Sequence, residues 1–496
     1  MKIVSYPMGA LLIALLIFGC SSDYLDINED PNNPLSVSPD LILPVAQSRS
    51  AYIQESFKSQ NSLGNFFMYN WAEADGSVFF SPEFRYLVVP GFYDPNFDYT
   101  YAQVLKQYNA LNTIEGEEFG YYKAISKIMM AYHFQLLVDT YGNVPYFGAL
   151  QRGGNTTPKY DDAKAIYDDL ISQLSSAIDL INATAANAEM NPVVPAADDI
   201  VFGGDMGQWL KMANTVKLRI LVRLSDIPDK AGFIRDEFAV IAAEGSGYLE
   251  TNVVVQPGYS NEADRMNHKW ASFGRDPQGN NTPYNKAVCA TQYVIDYLTD
   301  TQDPRIDFIY EEPPNGHLGV RQGETDYDNP IEDQWIPENV SNLGPGILQD
   351  AGQAAVLITA AEIYFNQAEA ALKNLMAGDA KLFYEAGIQA SFDYLGAGDA
   401  FAYYNQDLEL VNWDRSLNKQ EAIITQKWIA LNSIDALQSW FDYSRTGYPA
   451  NLPVSALATT ADRPVRLAYP ISEITSNGEN LPIQPNVFTD KVFWAN

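Results

Sequence analysis

In the stretch AVLITAAEIYFNQAEAALKNLMAG, the residues Ile358, Ala361, Phe365, Ala368, Leu372 and Leu375 follow one another at steps of three and four, which stacks them on one face of a helix. Gly378 stops the run. After a short break AKLFYEAGIQASFDYLGAG repeats the pattern and again ends on glycine. Two such helices, with Ala and Gly where they must approach closely, make a tetratricopeptide-like unit, although the full repeat template is met only loosely. A second pair lies upstream: Tyr121, Ile125, Ile128, Tyr132 and Leu136 form one stripe, and Ile166, Leu170, Leu174, Ala177 and Ile181 form another. Further helices are expected at Asp40 to Gln60, Gln208 to Arg223, Pro228 to Glu244, Tyr284 to Leu298 and Leu417 to Leu431. No alternating strand set of comparable length competes. The expected fold is all-α, a tetratricopeptide-like helical repeat scaffold.

Long irregular stretches separate these helices. Residues 61 to 100 are rich in Phe, Tyr, Asn and Pro, residues 245 to 283 in Asn, Gly and Pro, and residues 311 to 350 in Gly, Pro and Asp. Loops of this length inside a compact body are uncommon and usually functional. The expected picture is a rigid frame displaying aromatic loops.

The chain opens with an apolar run from Met8 to Phe18, preceded by Lys2. That is the length and polarity of a signal-peptide core, and it is short of the about 20 apolar residues that span a bilayer. Gly19 and then Cys20 close the run, as at a lipoprotein signal, so Cys20 is the expected lipidation point. The acidic, Asn- and Pro-rich segment that follows reads as a tether. The expected organisation is a signal peptide over 1–19, a tether over 20–39 and a single helical domain over 40–496. Cys289 is the one other cysteine; in the apolar pattern YNKAVCATQYVIDYL it reads as a buried, inert thiol within a helix.

Charge narrows the partners. There are 31 Lys and Arg against 62 Asp and Glu, a net charge of −31, which repels phosphate backbones and argues against nucleic-acid binding. Enzyme signatures are equally thin. H-E-x-x-H, G-x-S-x-G and the phosphate-cradling glycine loop do not occur, and His133, His268 and His317 are widely scattered. GAGDAF at Gly396 to Phe401 lacks the third glycine and the preceding strand of a dinucleotide fingerprint, so it reads as a helix stop. Nothing singles out the carboxylate pair of a glycosidase. In TDYDNPIED, Asp326, Asp328, Glu332 and Asp333 are oxygen donors without calcium-loop spacing, hence a solvated acidic loop. Neither a metal nor a cofactor is expected.

Six segments taken in order resemble one family. They are SSDYLDINEDPNNP, LLVDTYGNVPYFGAL, WLKMANTVKLRILVRLSD, ITAAEIYFNQAEAAL, IITQKWIALNSIDALQSWFDYSRTGYP and RLAYPISEITSNGEN, which together resemble the SusD/RagB-like outer-membrane lipoproteins, SusD-like subgroup. The resemblance covers essentially the whole mature chain. It implies a helical protein with tetratricopeptide-like units, held on the cell surface by a lipid, that sits as a lid on a SusC-like TonB-dependent transporter and captures oligosaccharide or, in some branches, peptide. It also implies that Lys427, Trp428, Trp440, Asp442 and Arg445, which cluster as if catalytic, are packing and capping elements.

No fixed motif marks ligand contacts in such proteins, so the candidates come from the chemistry of sugars. A pyranose offers a C–H face to a flat ring and hydroxyls to Asn, Gln, Asp or Arg, each hydrogen bond netting only about 1 kcal/mol against water. Several rings in one arc are therefore needed. The 31 Tyr, 24 Phe and 8 Trp supply them. From the irregular stretches the candidates are Tyr69, Asn70, Trp71 and Arg85; Tyr93 and Tyr99; Trp270, Asn280, Asn281 and Tyr284; and Trp335, with Trp71 and Trp270 foremost because polar residues flank both. Two other readings stand beside a glycan receptor: a peptide-binding member of the same family, and a helical adaptor that grips only protein.

Overall fold

The computed structural model describes residues 37–324 and 333–495. The signal segment, Cys20, most of the tether, and Asp326, Asp328 and Glu332 lie outside the described residues. The elements that build the frame and the site are, in chain order, α1 (Pro39–Glu55), α2 (Gln60–Phe67), β1 (Trp71–Glu73), α3 (Gly120–Tyr141), α4 (Ala163–Ala186), α5 (Met206–Arg223), α6 (Ala231–Glu244), β2 (Val253–Val255), α7 (His268–Phe273), β3 (Val288–Ala290), α8 (Gln292–Asp300), β4 (Ala355–Ile358), α9 (Ala360–Leu372), α10 (Ala380–Leu395), α11 (Lys419–Leu431) and α12 (Ala436–Thr446). The fold is helical, and its pairs α3 with α4 and α9 with α10 pack as the stripes require.

Local chemistry starts and stops these helices. Asp162, Asp205, Thr359, Asp379 and Asn418 each accept a backbone N–H of the following first turn, the task of an N-cap. Gly396 and Gly447 close α10 and α12 in the left-handed conformation. Close approach is visible at Gly387 of α10, where a Cβ would sit 2.9 Å from the Phe365 ring of α9. Gly64 is tighter still: a Cβ there would lie 2.2 Å from backbone atoms of Ala436 and Leu437, so α2 meets the start of α12 through glycine.

The largest apolar cluster runs from Leu43 to Trp494, and a second gathers Phe365, Tyr384, Ile388, Phe392 and Ile423 between α9, α10 and α11. Through this apolar mass runs a set of buried ion pairs. Arg219 of α5 bonds Glu362 of α9 at 2.8 and 2.6 Å, and Arg223 bonds Asp442 of α12 at 2.8 Å. The residues of the QKW and WFDY segments belong to the same set: Lys427 Nζ reaches Asp442 at 2.7 Å and Asn366 at 2.8 Å, and Trp440 Nε1 donates to the Pro464 carbonyl at 2.8 Å. These residues are buried frame elements.

Four expectations change. The helix expected over Asp40 to Gln60 ends at Glu55, and Gln60 opens α2 behind its cap Ser59. Cys289 is buried with its thiol pushed up by burial, but it lies on strand β3; the helix expected from Tyr284 begins at Gln292, capped by Thr291. Ile358 ends strand β4 instead of opening α9, and Leu375 lies beyond the end of α9. The stretch 61–100 is not wholly irregular. It holds most of α2, strand β1 and two short helices, Ser81–Phe84 and Pro95–Tyr99. β1 pairs antiparallel with β3, Trp71 opposite Ala290, and β2 pairs antiparallel with β4, Val253 opposite Ile358. Among the described residues no helix is long and apolar enough to cross a membrane.

Candidate ligand-binding surface

Pairing of β1 with β3 decides the fate of the first candidates. Trp71 is fully buried on β1, its indole N–H donating to Ser433 Oγ at 2.8 Å. Asn70 is fully buried and donates to Asn65 Oδ1 at 3.0 Å, and the Tyr69 hydroxyl accepts the Gln322 N–H. Tyr93 is buried beside Glu83. These four pin loops to the frame, and their burial removes them from any surface a ligand could reach. Asp333 of the acidic loop is exposed, its carbonyl accepting Asn339 Nδ2 at 2.8 Å.

The remaining candidates stay at least partly open. Past β1 the chain turns through residues 74–80, and Glu73 Oε1 accepts the Phe79 N–H at 2.6 Å, which ties that turn back on itself. Burial raises the Glu73 carboxyl to about 7, against the opposing pull of the Phe79 and Phe80 N–H groups. The turn carries two neighbours. On one side Asp75 N–H donates to the Trp335 carbonyl at 2.9 Å, and the half-buried Trp335 packs against the small buried cluster of Ala72, Ala74, Cys289, Val320 and Val340. On the other, the exposed Phe79 ring meets Tyr284 edge-on with centroids 5.1 Å apart. Tyr284 in turn stacks on Phe57, centroids 4.0 Å apart and planes 8° from parallel. Lys58 stands 5.8 Å from the Phe57 centroid. Phe57, Tyr284 and Phe79 thus form a continuous aromatic platform, joined through one turn to Trp335.

The loop beside the platform is ordered by its own polar groups. Asp276 accepts the Gln278 and Asn280 N–H groups, each at 2.9 Å, and Asn280 Nδ2 at 3.0 Å, contacts that hold its carboxyl below the usual range. Asn280 and Asn281 are exposed at the loop tip, but the Asn280 amide nitrogen is already engaged. The half-buried Trp270 lies on α7 against Gly274, where a Cβ would come within 2.7 Å of its ring. Arg85 is exposed, its Nε donating to Ser81 Oγ at 3.2 Å.

Tyr99 belongs to a second aromatic run. Its ring lies 4.8 Å from Tyr52 of α1, Tyr52 meets His268 edge-on at 5.1 Å, and His268 meets Tyr259 at 5.6 Å. Burial lowers the His268 pKa, so the imidazole is a neutral ring at neutral pH. Phe57, Phe79, Tyr52 and Tyr259 were not among the candidates. Tyr52 could have been found, because it stands on an outward helical position of α1, 39% exposed, where a polar residue would be ordinary.

Such a frame, with partly exposed rings and hydrogen-bonding side chains on its loops, is suited to holding a ligand. Comparison gives the family. The chain belongs to the SusD-like family described as starch-binding, associating with outer membrane, whose model matches residues 31–470. This is a family of binding proteins. Solved structures share the fold. A chitin-binding protein superposes with a TM-score of 0.74 at 24% identity, covering 92% of this chain and 100% of that one. A chitin-binding SusD homologue from Flavobacterium johnsoniae gives 0.75 at 21%, covering 92% and 98%. A SusD homologue from Bacteroides vulgatus gives 0.72 at 22%, covering 89% and 93%. No curated protein matches the chain.

Proposed function

We propose that this protein is a lipid-anchored receptor on the outer face of the outer membrane that binds oligosaccharide and passes it to a SusC-like TonB-dependent transporter. The observation that carries the reading is the partly exposed platform of Phe57, Tyr284 and Phe79 in a chain of this family. Flat rings take the C–H face of a pyranose; in this reading the exposed Asn280, Asn281 and Arg85 supply polar groups for its hydroxyls, and Trp335 and Trp270 extend the reach to further sugar units. The two chitin-binding neighbours make β-linked amino sugars the first ligands to try. In this reading residues 1–19 are the signal peptide, Cys20 carries the lipid, and 40–496 form one ligand-holding domain.

Calorimetric titration of the purified protein with chito-, malto- and xylo-oligosaccharides tests it, beside a pool of short peptides. Heat with at least one glycan series, weakened by Tyr284→Ala, is the expected result. A response confined to peptides would replace the ligand class, and silence throughout would leave a helical adaptor.

A further inference from the structure

The segment from Tyr443 to Tyr448, read above as frame, also walls a cavity of about 470 Å³. That volume lies in the ordinary range for small-molecule sites. Its lining includes Arg445, Arg463, Lys491, Gln420, Thr446 and a single carboxylate, Asp226. None of these residues belongs to the aromatic platform.

The carboxylates here are already matched. Asp226 receives Arg445 Nη1 and Lys373 Nζ, each at 2.6 Å. Glu369, behind the wall, receives Arg445 twice and Lys373 at 2.9 Å. Burial alone would raise Glu369, yet Arg445 and Lys373 hold it at about 2.

Arg463 stands outside that network. It is 7% exposed, its Nη2 donates to the Pro453 carbonyl, and its guanidinium lies 5.0 Å from the Tyr443 ring centroid. Its Nε and Nη1 are buried without a hydrogen-bond partner. Among the described residues no carboxylate comes within 4.0 Å of it. A buried guanidinium is ordinarily matched by an anion, because desolvation penalises an isolated charge. An aromatic face compensates that only in part.

We propose that this cavity is an oxyanion site, in which Arg463 and Lys491 take a carboxylate, sulfate or phosphate group on a small solute. The geometry suits a guanidinium, whose planar fork matches two oxygens at once. Two sources share this chemistry, an acidic monosaccharide and a free inorganic anion. The site is independent of the platform and does not rest on the glycan reading.

Titration of the full-length protein with galacturonate, glucuronate, sulfate and phosphate, each against galactose at matched ionic strength, tests the proposal. Binding of at least one anion and none of galactose is expected, with Arg463→Gln weakening it at least tenfold and Arg463→Lys restoring part of the loss. Preference for the uronates identifies an acidic sugar; preference for sulfate or phosphate identifies a free anion. Absence of binding by all four anions overturns the site, as does unchanged affinity in an Arg463→Gln protein with wild-type melting. Should Arg463→Gln fail to fold, Lys491→Gln reads the same cavity, and wild-type anion affinity in that variant overturns the proposal equally.

Discussion

Arg445 of α12 holds Glu369 of α9 by two parallel hydrogen bonds, Nη1 to Oε1 at 2.6 Å and Nη2 to Oε2 at 2.7 Å, with both side chains buried. Removing one partner of a buried pair leaves the other charge inadequately matched, which costs about 3–5 kcal/mol. Arg445→Met is expected to lose stability on that scale, read by guanidinium denaturation. The pair also sets an acid limit. Glu369 has a folded value of about 2 against 4.5 for the free side chain, so its stabilisation is complete above about 4.5 and is lost as pH falls from there through about 2. Glu369→Gln should flatten that part of the stability curve.

Glu73 has the opposite sign. Its folded value of about 7 exceeds the free value of 4.5, so the folded state binds the proton more tightly. The associated stability is present below 4.5 and is lost as pH rises through about 7. Glu73→Gln should therefore melt higher than wild type at pH 8, with the difference shrinking towards pH 4.5. Thermal melts at both ends of that window check it.

Gly64→Ala tests the contact between α2 and α12. The new methyl would meet backbone of Ala436 and Leu437 at 2.2 Å, and backbone cannot rotate away as a side chain can. Overpacking of this kind costs about 1–3 kcal/mol or more. A lowered denaturation midpoint with an unchanged slope is the expected readout; wild-type stability would show that the helices are not so closely apposed.

Tyr284→Ala and Trp71→Ala should separate ligand contact from packing. The first is expected to weaken glycan binding about tenfold, roughly 1.4 kcal/mol, at a smaller cost in stability than the second, since its ring is only half-buried against Phe57. The second should cost about 3–5 kcal/mol of stability, as for a large buried ring. Paired calorimetry and denaturation on both variants measure this, and the reverse pattern would relocate the site.

Cys20→Ala is expected to yield a folded protein that no longer fractionates with membranes. Membrane fractionation followed by immunoblotting reads it, and retention of the variant would count against a lipid at that residue.

The frame was largely legible in the sequence because its helices carry apolar stripes closed by glycines such as Gly396; the caps Asp162 and Asp379 at the starts of α4 and α10 are further local signals that the structure brings out. α2 was hidden because Asn61 and Asn65, which read as loop residues, turn inward and bond Ser433 and Ala436. Trp71 and Cys289 were misplaced for a common reason. Strand β1 pairs with β3 across more than two hundred residues, and no local pattern announces such a partner. The platform escaped because Phe57 and Phe79 are ordinary core formers by composition. Only their place beside Tyr284 makes them a surface.

Helix α5 sends Lys217 to Glu237 of α6, Arg219 to Glu362 of α9 and Arg223 to Asp442 of α12. Three pegs driven from one rod into three different neighbours forbid sliding, since a one-turn slip would strand every charge at once. On the reading proposed above, any closing over a bound ligand therefore falls to the excursions around Phe79, Asn280 and Trp335, and the trunk that carries them is expected to keep its shape.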